Sequence, residues 1–507
     1  MKINMISRSL DDHLPSSSSA PHPIQRNLAP HLHPFSKPRE YTRALTAAKM
    51  DRMFAKPFVD ALGGHQDGVY CLAKDPRRVA VVAGGGGDGE VIVHSISLRR
   101  PLLKIPDAHR GMVGGLSWTA EARDGRRGLL SAGKLDGTVK LWRSDAFTPG
   151  MRDRAAFEGN EFGLGETGEG ILDTAGVLGE GEEYEAEEEG GGLAIDSGRR
   201  DRLGKDLEPA MTYASKTGFN GIDHHRNDAT FATASTSVQI WDEQRTNPVS
   251  TLAFGNSSET VTAVKFNQSE TSVLASVGGD RTMCLYDVRT GKAERRIMMT
   301  FRSNCLSWCP TLPTVLLLGS EDHNLYTFDI RNLETPSQIY KGHVGGVMGC
   351  DWSPTGEEIV SGSYDRTVRL WKRDAGKSRD VYHTKRMQRV FDVTYTPTAD
   401  FILTASDDGN VRIWKSNSSA KLGPVSGKER ASIEYRQKLI EKWGAAGDVR
   451  SVHDRRHVPG SIHNAVKLKR DMVEAAKVKE ERRRKHSRAG REKPKAERKK
   501  VMIAEQK

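Results

Sequence analysis

No run of 18 apolar residues occurs anywhere in the 507-residue sequence, so no segment reads as a membrane-spanning helix. Met1 to Leu10 has no continuous apolar core, which argues against an export signal. The chain therefore reads as soluble and intracellular, and the sequons at Asn256, Asn267 and Asn417 as idle. Cysteine is sparse. Cys71, Cys284, Cys305, Cys309 and Cys350 form an odd, scattered set. Cys305 and Cys309 lie four apart, with no second Cys pair or ordered His pair to complete a zinc module. Reduced core thiols are expected, with no metal and no cofactor. Catalytic signatures are lacking as well. Gly84-Gly-Gly-Gly-Asp-Gly89 is not followed by Lys-Ser/Thr and a helix, so it is not a phosphate loop. No Gly-x-Ser-x-Gly elbow, no His-Glu-x-x-His and no kinase signature set occurs. His224-His225 has no obvious third ligand. With no nucleophile or base to assign, a non-enzymatic protein is expected.

What is abundant is glycine, at 50 residues, against aromatics at 7%. Many short strands joined by Gly/Asp turns have that composition. A turn Asp followed six residues later by an aromatic residue recurs at Asp136/Trp142, Asp280/Tyr286, Asp322/Phe328, Asp365/Trp371 and Asp408/Trp414. Asp88 to His94 fits with His in the aromatic slot, and Ser235/Trp241 fits with Ser replacing Asp. From Trp241 onward the aromatics are 45, 42, 43 and 43 residues apart. That is the period of a four-stranded blade, and seven units make an all-β, seven-bladed WD40 β-propeller.

The sixth unit shows the internal grammar. Gly342-His343 opens it, Val347 to Trp352 alternates like a strand, and Ser353-Pro-Thr-Gly356 is a turn. Ile359 to Ser363 and Thr367 to Trp371 are the next strands, around a Tyr364-Asp-Arg366 turn. A buried His donating to the turn Asp, with a strand Ser and the Trp indole completing the chain, is the expected polar set: His343, Ser363, Asp365 and Trp371. Such linked groups stabilise only when all are satisfied. The opening histidines His65, His109 and His343 are thus read as blade pegs, neither ligands nor bases. Blade three lacks the turn Asp, and blades four and five lack the opening His, so these are expected to lean on apolar packing.

The last blade is short of its fourth strand, because Lys415 to Ser419 is not strand-like. Pro57 to Leu62 is β-compatible and is predicted to close blade seven as its outer strand, which removes an open sheet edge. Residues 57–420 would form the ring. Residues 1–56 read as an extended arm, rich in Pro, Ser and His, followed by a short helix from Pro38 to Ala55. Residues 145–210 interrupt the period between blades two and three. They include Gly-Glu-Gly-Glu-Glu-Tyr-Glu-Ala-Glu-Glu-Glu-Gly (179–190) and read as a disordered acidic loop.

Residues 421–507 change in texture. Lys428 to Trp443 is an amphipathic helix candidate, Pro459-Gly460 breaks the chain, and Ala465 to about Arg484 is again helix-like. Beyond Gly490 the segment could be an extended basic strand or a frayed helix. The ring is expected to need no tail residue for its sheets. Net charge is +11, and between Lys467 and Lys500 sixteen Lys/Arg face only six Asp/Glu. A balanced body with a cationic tail suits a polyanionic partner. Arg482, Arg483, Arg484, Lys485, Arg488, Lys499 and Lys500 are candidates for contact with RNA or acidic protein. A nuclear-import signal with solvated charge is an equally open reading of the same basic runs.

Three stretches together resemble the Sof family of WD-repeat proteins, ribosome-biogenesis factors of the small-subunit processome. The first is the arm: Arg26-Asn-Leu, Leu32-His-Pro-Phe35, Arg39-Glu-Tyr41 and Met50 to Phe58, running into Gly64-His65 and Asp67-Gly-Val-Tyr70. The second is the ring. The third is the tail, with Tyr435, Leu439, Arg456-His-Val-Pro459, Arg484-Lys-His-Ser487 and Glu497-Arg-Lys-Lys500. Asp454 and Gly460 depart from the family pattern. The resemblance implies a scaffold in the nucleolus. It also implies association with the small nucleolar ribonucleoprotein that pairs with pre-rRNA, and a role in small-subunit rRNA maturation among pre-ribosomal proteins. Arg456 and His457 join the tail candidates on this ground. No membrane or small-molecule partner is implied.

A second function of another class is a substrate receptor of a cullin–RING ubiquitin ligase. Animal relatives resemble such receptors, which carry an aromatic-Asp-x-Arg ending on adjacent blades. Tyr286-Asp-Val-Arg289 and Phe328-Asp-Ile-Arg331 fit that pattern, although Asp and a basic residue are also ordinary at blade ends. Arg289 and Arg331 would be the adaptor contacts.

Overall fold

Alternating apolar and polar residues put one row of side chains on each face of a short strand, and a twisted four-stranded sheet must bury both faces against neighbours. A computed structural model describes residues 35–120, 127–143, 207–252, 259–488 and 493–506. The arm before residue 35, most of the acidic insertion and the tail residues 489–492 lie outside the described residues. Seven antiparallel sheets form, each with its first strand at one edge. These first strands neighbour one another in a closed circuit, from Val69–Lys74 through Val113–Trp118 and on to Val390–Tyr395, which returns to the first. The result is a seven-bladed propeller whose apolar clusters lie mostly between successive blades. Carboxylates on the innermost strands also join blades. Asp223 accepts from Phe266 N at 2.8 Å, Asp351 from Tyr395 N at 3.0 Å and Asp392 from Leu72 N at 2.9 Å. Burial pushes the Asp392 carboxyl up to about 6.

Blade seven is closed by chain from the other end of the ring. Phe58–Leu62 pairs antiparallel with Val411–Lys415, with Phe58 opposite Trp414 and Leu62 opposite Val411. Leu62 enters the core between blades one and seven.

Two features of the ring differ from the sequence-based expectation. The insertion does not separate blades two and three. Thr138–Arg143 pairs with Met211–Ala214 in one sheet, so the insertion joins the third and fourth strands of blade two. The repeat spacing hides this, because a gap anywhere inside one period lengthens it equally. The tail, moreover, does contribute a strand. Met502–Gln506 adds to the outer strand Lys292–Met299 as a fifth strand of blade four, and Val501 is buried in the adjoining core. This strand is short and flanked by cations, so its alternation is inconspicuous; pairing to an existing edge supplies the stability that it lacks alone.

Four helices lie outside the sheets among the described residues: α1 (Ser36–Met53), α2 (Gly427–Trp443), α3 (Gly447–His453) and α4 (Gly460–His486). Ser426 and Glu429 make a capping box at the start of α2. Ala44, Ala47 and Ala48 of α1 pack on Leu439, Ile440 and Val449 of α2 and α3. Tyr41 meets Trp443 edge-on at 5.5 Å and donates to Asp448 at 2.7 Å, and Lys442 pairs with Glu40 at 2.6 Å. The arm helix and the tail thus form one satellite bundle. Small alanines on α1 allow this close approach, and no periodicity in either segment alone reveals it.

Candidate assembly surfaces

The peg residues come together in blades two and six. His343 Nδ1 lies 2.9 Å from Asp365, and its Nε2 lies 2.8 Å from Ser361, to which Trp371 Nε1 also donates at 2.8 Å. The serine in the chain is Ser361, not the predicted Ser363. Both lie on the same strand face. Register decides between them: Trp371 faces Ile359, and the hydroxyl two residues further on reaches the indole. Ser363 instead donates to Gly345 O at 2.9 Å. Blade two repeats the arrangement with His109, Asp136, Ser131 and Trp142. A neutral imidazole protonated on Nδ1 satisfies every member. Burial holds His343 below the usual histidine range. Burial would raise Asp365, but the His343 and Thr367 hydrogen bonds prevail and hold it below the usual carboxylate range.

The other blades use substitutes. Trp241 and Trp414 donate to Thr233 and Thr404, each at 2.9 Å. Asp280 pairs with Arg296 at 2.8 Å, Asp408 with Arg412, and Asp322 accepts from Tyr326. The expected reliance on apolar packing alone is therefore incomplete. A cation or phenol from a later strand of the same blade replaces the missing histidine, because a half-buried carboxylate needs a donor. Phe328 is fully buried and Tyr286 reaches Ser276.

Asp365→Ala is expected to lower the thermal midpoint. The carboxylate accepts from His343 and from the backbone N–H groups of Val344 and Thr367. Each buried donor left unpaired costs about 1–3 kcal/mol. An unchanged midpoint in thermal unfolding would disprove the network. Trp371 keeps its partner in this variant, because it donates to Ser361 rather than to the carboxylate.

The surfaces available to partners are of three kinds. The basic end of α4 leaves Arg482, Arg483 and Lys485 exposed, as is Arg488 just beyond it, with Arg484 donating to Glu480 O at 3.3 Å. Lys499 is exposed beside Lys500, which pairs with Glu480 at 3.2 Å. Several apolar side chains of the same helix are also exposed, among them Leu468 and Met472. Arg456 departs from the expected binding role. It is half-buried, 3.4 Å from Asp380, which also pairs with Arg52. It therefore ties the tail and α1 to blade six rather than offering its charge to solvent. His457 is exposed, 3.2 Å from His383.

The second surface escaped sequence analysis. Tyr70 stacks on Phe391 at 4.4 Å, Tyr364 meets Phe391 edge-on, and Arg389 lies 5.6 Å over Tyr364. Tyr364, Arg366 and Arg389 line a cavity of about 510 Å³. Stacked rings with exposed guanidinium groups can hold planar or anionic groups. Arg366 occupies a left-handed turn position (φ 63°) that is glycine in blades one, two and seven. Strain of about 1–3 kcal/mol accompanies a side chain there. The cluster joins residues 70, 364, 389 and 391, and only ring closure brings these together.

The third surface carries Arg289 and Arg331. Both side chains are exposed just beyond the third strands of adjacent blades four and five, beside Asp287 and Asp329.

Known proteins match this layout from end to end. The Sof1-like domain family matches residues 416–502, and the WD domain, G-beta repeat family matches 246–287, 334–372 and 378–415. Protein SOF1 of Saccharomyces cerevisiae is 36% identical over 95% of this chain and 90% of its own. The DDB1- and CUL4-associated factor 13 proteins of Xenopus tropicalis and Homo sapiens are 37% and 38% identical, over 99% of both chains in each case.

Proposed function

Since the chain belongs to the Sof1-like family of WD-repeat proteins, we propose that it is a non-enzymatic scaffold of the small-subunit processome. In this reading it works in the nucleolus, associates with the pre-rRNA-pairing small nucleolar ribonucleoprotein, and is required for small-subunit rRNA maturation. The observation that carries the reading is the family match across the tail, at 416–502, on a chain whose charge excess sits in that tail. A rigid ring offers several faces at once, while exposed cations at the end of α4 suit phosphate contacts that add affinity with little sequence information. In-cell crosslinking, with RNA sequencing and mass spectrometry of one sample, tests it. Crosslinks from the tail to pre-rRNA or to pre-ribosomal proteins are expected. Their absence from both classes would refute the proposal.

The name of the vertebrate relatives, DDB1- and CUL4-associated factor 13, favours a second reading, attachment to a DDB1–CUL4 ubiquitin ligase. Exposed Arg289 and Arg331 on neighbouring blades suit an adaptor contact. In a pull-down, an Arg289→Ala/Arg331→Ala double variant is expected to lose the adaptor while keeping its thermal midpoint. Equal capture by wild type and variant would exclude these arginines as the contact.

A further inference from the structure

Blade one breaks the peg pattern at two positions together. Across its ladder Val82 faces His94, as Leu129 faces Trp142 and Ile359 faces Trp371. Two residues further on, where the other blades have Ser131 and Ser361, blade one has Gly84. A Cβ on Gly84 would sit 3.1 Å from His65 Nε2, so the hydroxyl that His65 would meet is the one this blade lacks. His94 takes the place of the tryptophan.

The outcome is a set of buried polar atoms without hydrogen-bond partners. Both ring nitrogens of His65 and both of His94 are shielded from solvent and have no hydrogen-bond partner among the described residues. His94 is fully buried, and the two rings lie 6.0 Å apart between centroids. Asp88 Oδ2 is shielded and unpartnered as well. Buried polar groups in native proteins are almost always satisfied, so this cluster calls for a ligand. The ligating atoms of His65, Asp88 and Glu90 all lie within 4.8 Å of one another.

We propose that blade one binds a divalent transition metal ion on His65, Asp88 and Glu90, with His94 as the fourth donor. Two imidazoles and two carboxylates form a four-donor nitrogen–oxygen set, which suits tetrahedral zinc. Small movements draw the three clustered donors onto one ion, and His94, whose ring centroid lies 6.0 Å from that of His65, completes the set by approaching as the ion binds. Lys104 Nζ lies 2.9 Å from Glu90, and its side chain is 40% exposed. It swings into solvent as the ion takes its place. The metal then does for blade one what the hydrogen-bonded peg does for blades two and six, tying the opening segment to the turn and to the third strand.

The full chain, stripped with a chelator, is titrated with Co²⁺ and then with Zn²⁺. The visible absorption of tetrahedral cobalt is expected at about one equivalent, to be displaced by zinc, and zinc is expected to raise the thermal midpoint. A Gly84→Ser/His94→Trp variant rebuilds the peg of the other blades, and should stay folded while losing both the cobalt signal and the zinc-dependent shift. Should that core variant fold poorly, Glu90→Gln removes one donor at the edge of the site. Its zinc affinity should fall at least about tenfold, the effect that loss of even an outer-shell partner has at metal sites. A stripped wild-type chain that takes up neither ion overturns the proposal and leaves water as the ligand. Equal metal uptake by wild type and Glu90→Gln overturns it as well, placing the metal elsewhere on the chain.

Discussion

Truncation of the chain to begin at Gly63 is expected to abolish cooperative unfolding of the ring and to cause aggregation. The loss removes Phe58–Leu62, the outer strand of blade seven, and leaves Val411–Lys415 as an unpaired edge. Open edges recruit other chains. Leu62 is 2% exposed, and burying a leucine is worth about 1.5–3 kcal/mol. Phe58 also leaves the face of Trp414, where the rings meet edge-on at 5.5 Å. The same cut deletes α1 and uncovers Leu439, Ile440 and Val449. Leu62→Asp separates the two effects, since it disrupts the clasp while α1 remains. Calorimetry should show a broadened, lowered transition for both variants. A truncated chain that melts like the whole protein would mean that another segment, such as Lys421 to Val425, can close the ring.

Reversal of the basic cluster at the end of α4 is expected to have the largest functional effect. The variant carries Arg482→Glu, Arg483→Glu, Arg484→Glu and Lys485→Glu, with an unrelated import signal added. Under the proposed scaffold role it reaches the nucleolus but no longer co-sediments with pre-ribosomal particles. If the cluster binds single-stranded RNA phosphates, losing four cations should flatten the salt dependence of binding by about 3 in log–log slope. Four acids at a helix C-terminus are themselves unfavourable by about 0.3–1 kcal/mol each, so the thermal midpoint is measured alongside. Intact co-sedimentation of this variant would reduce the cluster to an address label. Whole-tail deletion is a poorer experiment. Met502–Gln506 pairs with blade four and α2 covers α1, so removing residues 428–507 is expected to destabilise the ring as well as to abolish incorporation.

Much of the architecture was legible because blade geometry is local. The Asp-to-aromatic spacing reports a hairpin between neighbouring strands, and seven such hairpins require a ring. The clasp was legible by elimination, since blade seven lacked an outer strand and a β-compatible segment preceded blade one. The serine of the peg was misplaced because strand alternation assigns a face but not a register. Arg456 entered the binding candidates through the family resemblance, and a motif match does not show which distant side chains a residue meets. Asp380 and Arg52, which surround it, are 76 and 404 positions away in the chain.

The sequence by itself determined the blade count, the closing strand, the helices flanking the ring and the concentration of charge at one end. Each rests on period, propensity or composition over a few consecutive residues. Tertiary structure alone decided four further things. The insertion falls inside blade two, the last strand joins blade four, the arm and tail share one bundle, and His65, Asp88 and Glu90 cluster near His94 without the serine and tryptophan of blades two and six. All four depend on which distant surfaces come into contact. That choice is made by burial and shape across the whole ring, and local sequence carries no record of it.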